Sequence, residues 1–246
     1  MNPTCSIILI GDELLSGRTE DANMHHIACE MAKIGVRLQE VRVIPDDEDE
    51  IIETLNTLRK KYTYVFTTGG IGPTHDDITA ACVAKAFGVE IYRDESVVEQ
   101  FQQRVDYKVR EATLKMADFP VGSELIPNPL TTAPGFRMEN VFVMAGIPKV
   151  MRIMLEEIIP QLETGDVIQS KHVDILAGES KISFHFEAIQ NRYEKTVSLG
   201  SYPFRHEGEY CTSLVLRSDD AKLLIAAFND VEAMLIDLKI EKHPKN

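Results

Sequence analysis

The chain has 246 residues and a mass of 27.7 kDa, enough for two domains of average size. Hydrophobic residues are 44% and charged residues 26%, a globular balance, and no apolar run approaches the roughly 18 residues of a membrane span, which excludes a helical membrane protein. With 39 acidic against 26 basic residues the net charge is -13, which repels phosphate backbones and anionic lipid and disfavours nucleic acid and membranes as partners.

Met1 to Ile10 has no basic n-region and runs directly into an apolar strand, so the expectation is a cytoplasmic protein without a signal or transit peptide. Cys5, Cys29, Cys82 and Cys211 form no C-x-x-C pair, and each sits in an apolar or periodic segment. They are expected to be buried free thiols.

The pattern predicts a first strand over Ser6 to Ile10, then a polar loop and a helix. In that helix Met24, Ile27, Ala28, Met31 and Ile34 share one face, and Gly35 closes it as C-cap. A second strand follows from Val36 to Ile44. Pro45 and the acidic run Asp46 to Glu50 precede Ile51, Ile52, Leu55 and Leu58, so the acids are read as capping a helix N-terminus. A third strand, Tyr64 to Thr68, leads through a glycine-rich loop into a helix from Ile78 to Phe87, terminated by Gly88.

Next come a long helix from about Ser96 to Lys115, a Pro-rich stretch from Pro120 to Pro134, a strand Val141 to Met144, and a helix from about Lys149. The Pro-rich stretch is too long for a simple connection. This strand and helix alternation predicts an α/β domain with a mostly parallel sheet over residues 1–165. From 168 to 246 the order is a strand (His172 to Leu176), a helix (Glu179 to Tyr193, with Ile182, Phe186 and Ile189 inward), strands Val197 to Tyr202 and Tyr210 to Arg217, and a final helix: a small α+β unit. Residues up to Val167 hold 27 acids against 16 bases and the remainder 12 against 10, so the acidity belongs mainly to the first domain.

The most informative stretch is Thr67 to Thr79, TTGGIGPTHDDIT, between a strand and a helix. Gly69, Gly70 and Gly72 let backbone approach a ligand closely, and the following helix offers amides to an anion, so the loop reads as a phosphate cradle. It is not a Walker A loop, since no Lys follows, and it lacks G-x-G-x-x-G spacing. Asp76 and Asp77 beside a phosphate site would repel the ligand unless a divalent cation joined them, with one or two carboxylates and the phosphates as its ligands. The alternative is that one Asp simply caps the Ile78 helix; the doubled Asp after this loop favours function.

Gly11-Asp12-Glu13 lies just past the first strand, at the sheet edge where open α/β sheets bind ligands, and Gly146-Ile147-Pro148 follows a later strand in the same manner. A surface turn is an equal reading for the first of these and the commoner one for the second. His25 and His26, being adjacent, cannot share a helix face as an i, i+4 metal pair would, and are read as solvated. His75 in the glycine loop has the chemistry to contact a phosphate or donate a proton but is read as incidental, and His206-Glu207 in the last turn as an exposed polar turn.

With Gly11-Asp12-Glu13, Asn23, Thr132-Ala133-Pro134-Gly135-Phe136 and Gly146-Ile147-Pro148 in the same order, the segment Thr68 to Thr79 resembles the signature of the MoaB/Mog-type molybdopterin-binding domain. The form it resembles is that of CinA proteins and of the N-terminus of FAD synthases. Glu179-Ser180-Lys181-Ile182 and Leu199-Gly200-Ser201-Tyr202-Pro203 are similar to the small KH-like domain that follows in those proteins. Val150 and His75 stand where bacterial CinA usually has Glu and Pro, closer to the FAD synthase form.

The resemblance implies a three-layer αβα domain plus a KH-like domain, and a metal-dependent nucleotide pyrophosphatase acting on FAD, ADP-ribose or a related ADP-linked diphosphate. The implied site is Asp76 and Asp77 for catalysis and metal, with Gly11, Asp12, Glu13, Thr68, Gly69, Gly70, Gly72, Thr74, Thr132, Gly146 and Pro148 around the ligand. Magnesium or cobalt is the implied cofactor, with potassium as a further ion, and a homo-oligomer the implied assembly. The alternative is a pterin-binding or adenylylating protein of molybdenum cofactor assembly. RNA binding is disfavoured because no G-x-x-G loop follows Ile168.

Overall fold

The computed structural model describes residues 2–103 and 111–243, in two compact units, 1–165 and 166–246. The first unit runs β1 (Thr4–Ile10), α1 (Asp12–Leu15), α2 (Asn23–Lys33), β2 (Arg37–Ile44), α3 (Glu48–Lys61), β3 (Tyr64–Thr68) and α4 (Thr79–Phe87). It continues with β4 (Ile91–Arg93), α5 (Glu95–Gln103), α6 (Glu111–Leu114), β5 (Asp118–Pro120), β6 (Glu124–Ile126), β7 (Gly135–Met138), β8 (Val141–Met144) and α7 (Pro148–Ile158).

A six-stranded sheet in the order β2-β1-β3-β8-β7-β6 forms its centre. Strands β2, β1, β3 and β8 are parallel, whereas β7 runs antiparallel to both of its neighbours, β8 and β6. Parallel strands covered on both faces need apolar side chains in both directions. β1 meets that demand: Ile8 and Ile10 pack with Leu55, Leu58, Cys82, Val83 and Phe101 on one side, and Cys5, Ile7 and Leu9 with Ile27, Met31, Met151 and Leu155 on the other. The result is the three-layer αβα arrangement that the alternating pattern predicts.

Helix ends follow their local chemistry. Asp47 caps α3, its side chain accepting the Glu50 amide at 3.1 Å, and Lys and Arg crowd the last turn. Several details differ from the sequence reading. The Pro-rich stretch contains the last residue of β5 and all of β6, strands too short to show a period. The long helix expected from Ser96 to Lys115 is seen as α5 and α6; residues 104–110 lie outside the described residues.

Met24 is 37% exposed rather than inward, because Asn23 takes the inward position in that turn. Cys29 is also exposed, while Cys5, Cys82 and Cys211 are buried. At about 100° per residue Cys29 is turned some 200° from both Ile27 and Met31, so a periodic segment does not bury every apolar member.

The second unit runs β9 (Gln169–Ile175), α8 (Ser183–Arg192), β10 (Ser198–His206), β11 (Glu209–Ser218) and α9 (Ala221–Asp237). Its antiparallel sheet has the order β10-β11-β9. Val173, Leu214 and Leu216 pack with Phe186 and Ile189 of α8 and Leu224 and Val231 of α9. The expected helix from Glu179 begins as a 3₁₀ turn before α8, and both hairpin strands are longer than expected. No helix among the described residues is long and apolar enough to cross a membrane.

Candidate functional site

The C-terminal ends of β1, β2, β3 and β8 lie side by side, and the loops leaving them bound a cavity of about 590 Å³. Adjacent parallel strands necessarily deliver their exits to one edge, which is why four segments distant in sequence converge here. From β1 come Gly11 and Glu13, from β2 Asp46, from β3 Gly69, Gly70, Gly72, Asp76 and Asp77, and from β8 Gly146, Ile147 and Pro148.

The glycine loop is held open from within. Gly69 and Gly70 have φ of 107° and 68°, and a Cβ at either would fall 2.1 Å from the Ile10 carbonyl oxygen or from Thr79 Oγ1. Thr79, buried at the head of α4, donates its hydroxyl to the Gly69 carbonyl at 3.1 Å and its amide to Gly70 at 3.0 Å. Asp77 accepts the Gly72 amide at 2.6 Å, the Thr74 amide at 2.8 Å and the Thr74 hydroxyl at 2.5 Å. The expected cradle of amides is thus partly turned inward: two of them are spent on a carboxylate of the same loop.

Asp76 is differently placed. It is exposed, accepts a hydrogen bond from Thr74 Oγ1, and that bond first holds its carboxyl below the usual carboxylate range. Lys115 ties the loop's outer limb by donating to the Thr74 carbonyl at 2.8 Å. His75 is fully exposed, with Nδ1 3.9 Å from Asp76.

Asp46 is the residue that sequence reasoning assigned elsewhere. Instead of joining the α3 cap it accepts the Asp12 amide at 3.1 Å and lines the cavity. Burial pushes its carboxyl above the ordinary range; the Asp12 amide opposes this, and the charges of Asp12, Glu13 and Asp76 add to it. The one available signal was its position at the end of a strand beside β1.

The cavity is also lined by the apolar residues Ile71, Met116, Ala133, Ile147 and Val150. Asn128 and Thr131 line it as well and were also missed. Asn128 organises that loop, its amide donating to Thr131 Oγ1 at 2.5 Å and to the Ala133 carbonyl at 2.8 Å.

Of the residues expected around the ligand, Thr68 is 2% exposed within β3, and Thr74 and Thr132 are not among the cavity-lining residues. Thr132 has φ of 63° and donates its hydroxyl to Thr131. Asp12 presents its amide to Asp46 and is likewise not part of the lining. Asn23 donates to the Gly146 carbonyl at 2.8 Å and so positions the β8 exit.

Among the described residues no group of three His, Cys, Asp or Glu side chains is placed to hold a metal ion by itself. Glu13, Asp46 and Asp76 nevertheless give the cavity a hard-oxygen set, and among the described residues its lining holds no Lys, Arg or His. A magnesium-type cation takes one or two carboxylates and completes its shell with water and phosphate.

Comparison with known proteins places these features in a family. Residues 6–164 match the family described as "Probable molybdopterin binding domain", and residues 167–243 match "FAD synthase, middle domain". A "CinA-like protein" of Citrifermentans bemidjiense is 39% identical over 165 residues, covering 64% of this chain and 40% of its own length. A "Probable FAD synthase" of Caenorhabditis briggsae is 28% identical over 259 residues, covering 95% of this chain and 50% of its own. The chain therefore spans half the length of these two relatives or less. A crystal structure of the protein CinA from Thermoplasma acidophilum superposes with a TM-score of 0.61 at 30% identity, covering 65% of this chain and 98% of that one.

Proposed function

The chain belongs to the family described as "Probable molybdopterin binding domain", and on that premise we propose that it is a metal-dependent pyrophosphatase of FAD, ADP-ribose or a related ADP-linked diphosphate. The observation that carries this reading is the mixed lining of the cavity, in which carboxylates from three strand exits, a glycine loop and apolar side chains meet. A dinucleotide has the same mixed chemistry, with a charged diphosphate between flat or sugar groups. The match of residues 167–243 to the FAD synthase middle domain supports a flavin nucleotide within that class.

In this reading Ile71, Met116 and Val150 exclude water and seat a ring system, while Gly69 to Gly72 let the diphosphate lie against backbone. Glu13 and Asp46 would hold a magnesium or cobalt ion together with the phosphates. A bound divalent ion supplies charge neutralisation and polarisation of the phosphoryl group. Asp76, ionised and accessible, takes the proton of the attacking water. Asp77, expected from the sequence to share that role, keeps the loop in shape. For FAD the products are FMN and AMP, one water being consumed as the diphosphate bond breaks.

The test is hydrolysis of FAD and ADP-ribose by the purified chain with magnesium, cobalt or EDTA. AMP release that needs the metal and is lost in Asp76→Asn supports the proposal; no release under any metal by folded protein overturns it. The second reading, a pterin-binding or adenylylating protein, draws on the family description alone, and tight pterin binding without AMP release would favour it.

A further inference from the structure

Helix α2 carries a pair of donors that the cavity does not use. His25 and Cys29 are four residues apart, on the exposed side opposite the buried Ile27 and Met31, and Cys29 Sγ lies 3.7 Å from His25 Nε2. Adjacency rules out His25 with His26 as a chelating pair, but the i, i+4 partner of His25 is a thiol. One helical turn places such side chains over each other whatever else the chain does.

The separation matches a common ligand bite. Zinc holds thiolate sulfur at about 2.3 Å and imidazole nitrogen at about 2.0–2.1 Å, so a tetrahedral angle puts sulfur and nitrogen about 3.6 Å apart. A thiolate with an imidazole is a borderline-soft set that prefers zinc-class ions to magnesium. Of the four thiols, Cys5, Cys82 and Cys211 are buried, which leaves Cys29 as the accessible one. The scaffold is already ordered: Asn23 anchors the head of the helix on Gly146, and Ile27 and Met31 are fully buried. The acid surplus of this half of the chain draws cations towards it.

We propose that His25 and Cys29 form a surface site for one soft divalent cation of the zinc class, separate from the carboxylate cavity. Water fills the remaining positions of the cation. On binding, the Sγ–H bond breaks, its electron pair forms the sulfur–metal bond, and the proton leaves to solvent. Neither the proposal nor its test depends on the hydrolytic activity proposed above.

The experiment is a titration of the full chain with cobalt(II) chloride, followed by displacement with zinc. The expected result is a near-ultraviolet thiolate-to-cobalt band that saturates at one equivalent, disappears with zinc, and is lost in Cys29→Ser and in His25→Ala. In parallel, iodoacetamide labelling of Cys29, read by peptide mass, should slow about tenfold under saturating zinc, since the free thiolate is the nucleophile. A cobalt band that survives Cys29→Ser, binding by His25→Ala equal to the parent, or a labelling rate indifferent to zinc would each overturn the site.

Discussion

Gly72 and Asp77 are joined across the glycine loop by a 2.6 Å hydrogen bond in which the Gly72 amide donates to Asp77 Oδ1. With the two bonds from Thr74 to its other oxygen, this makes Asp77 the internal brace of the loop, whereas its neighbour Asp76 is exposed. Adjacent identical residues thus do different work. Asp77→Ala should unbrace the loop and cost about 1–2 kcal/mol of stability along with activity. Asp76→Asn should keep the parent's urea midpoint while hydrolysis falls about 100-fold or more. Equal stability losses in the two variants would contradict this division.

Gly70 sits at φ of 68° with Thr79 Oγ1 where a methyl group would go. Gly70→Ala should therefore destabilise the first unit by about 1–3 kcal/mol, strain and steric clash acting together. It should also weaken FAD binding, because the displaced Thr79 no longer fixes the Gly69 carbonyl. Urea unfolding followed by an FAD fluorescence titration separates the two effects.

Asp46 is held above the usual carboxylate range by burial and by neighbouring acids. A raised carboxyl pKa means that the ionised group penalises the fold at pH values above it, and that the penalty fades as pH falls through it. Asp46→Asn should consequently raise the melting temperature at pH 7 in EDTA. It should lower magnesium-supported hydrolysis about 10–100-fold if Asp46 helps hold the ion. Magnesium should stabilise the parent more than the variant in differential scanning fluorimetry.

Glu40 shows the opposite sign. Lys61 first, then Tyr62 and Arg42, donate to its carboxylate at 2.7–2.8 Å and draw its pKa from 4.5 to about 2. The stability it contributes is present above about pH 4.5 and is lost as pH falls through about 2. At the edge of the sheet solvent screens much of it, so Glu40→Gln should cost about 1 kcal/mol or less at pH 7. The parent and the variant should converge as urea midpoints are followed from pH 5 to about pH 2.

Much of the fold was legible because its signals are local. β1, β3 and β8 are apolar runs, α3 declares itself by Asp47 ahead of a periodic apolar face, and α4 ends at Gly88 in the left-handed conformation. β6 and β7 were not legible: they are three and four residues long, and only the pairing of β7 with β8 and of β6 with β7 gives them direction. In the site, Gly69 to Asp77 stood out by their run of glycines and doubled acid, although the space at Gly69 is set by Ile10, distant in sequence. Asp46 did not, because as one acid in a run of five it is indistinguishable from a helix cap until β2 is placed beside β1.

What this amino-acid sequence determined by itself is the alternation that makes an α/β unit, the loop that only glycines can trace, and the family to which both belong. Backbone sterics and apolar periodicity act over single turns, so a linear reading captures them. Tertiary structure decided which carboxylates meet, which threonines stay inside a strand, that Cys29 faces outward beside His25, and that Asp77 braces the glycine loop while lining the cavity. Those outcomes depend on strand order and on hydrogen bonds completed across the cavity, where residues separated by 34 positions, as Asp12 and Asp46 are, become immediate neighbours.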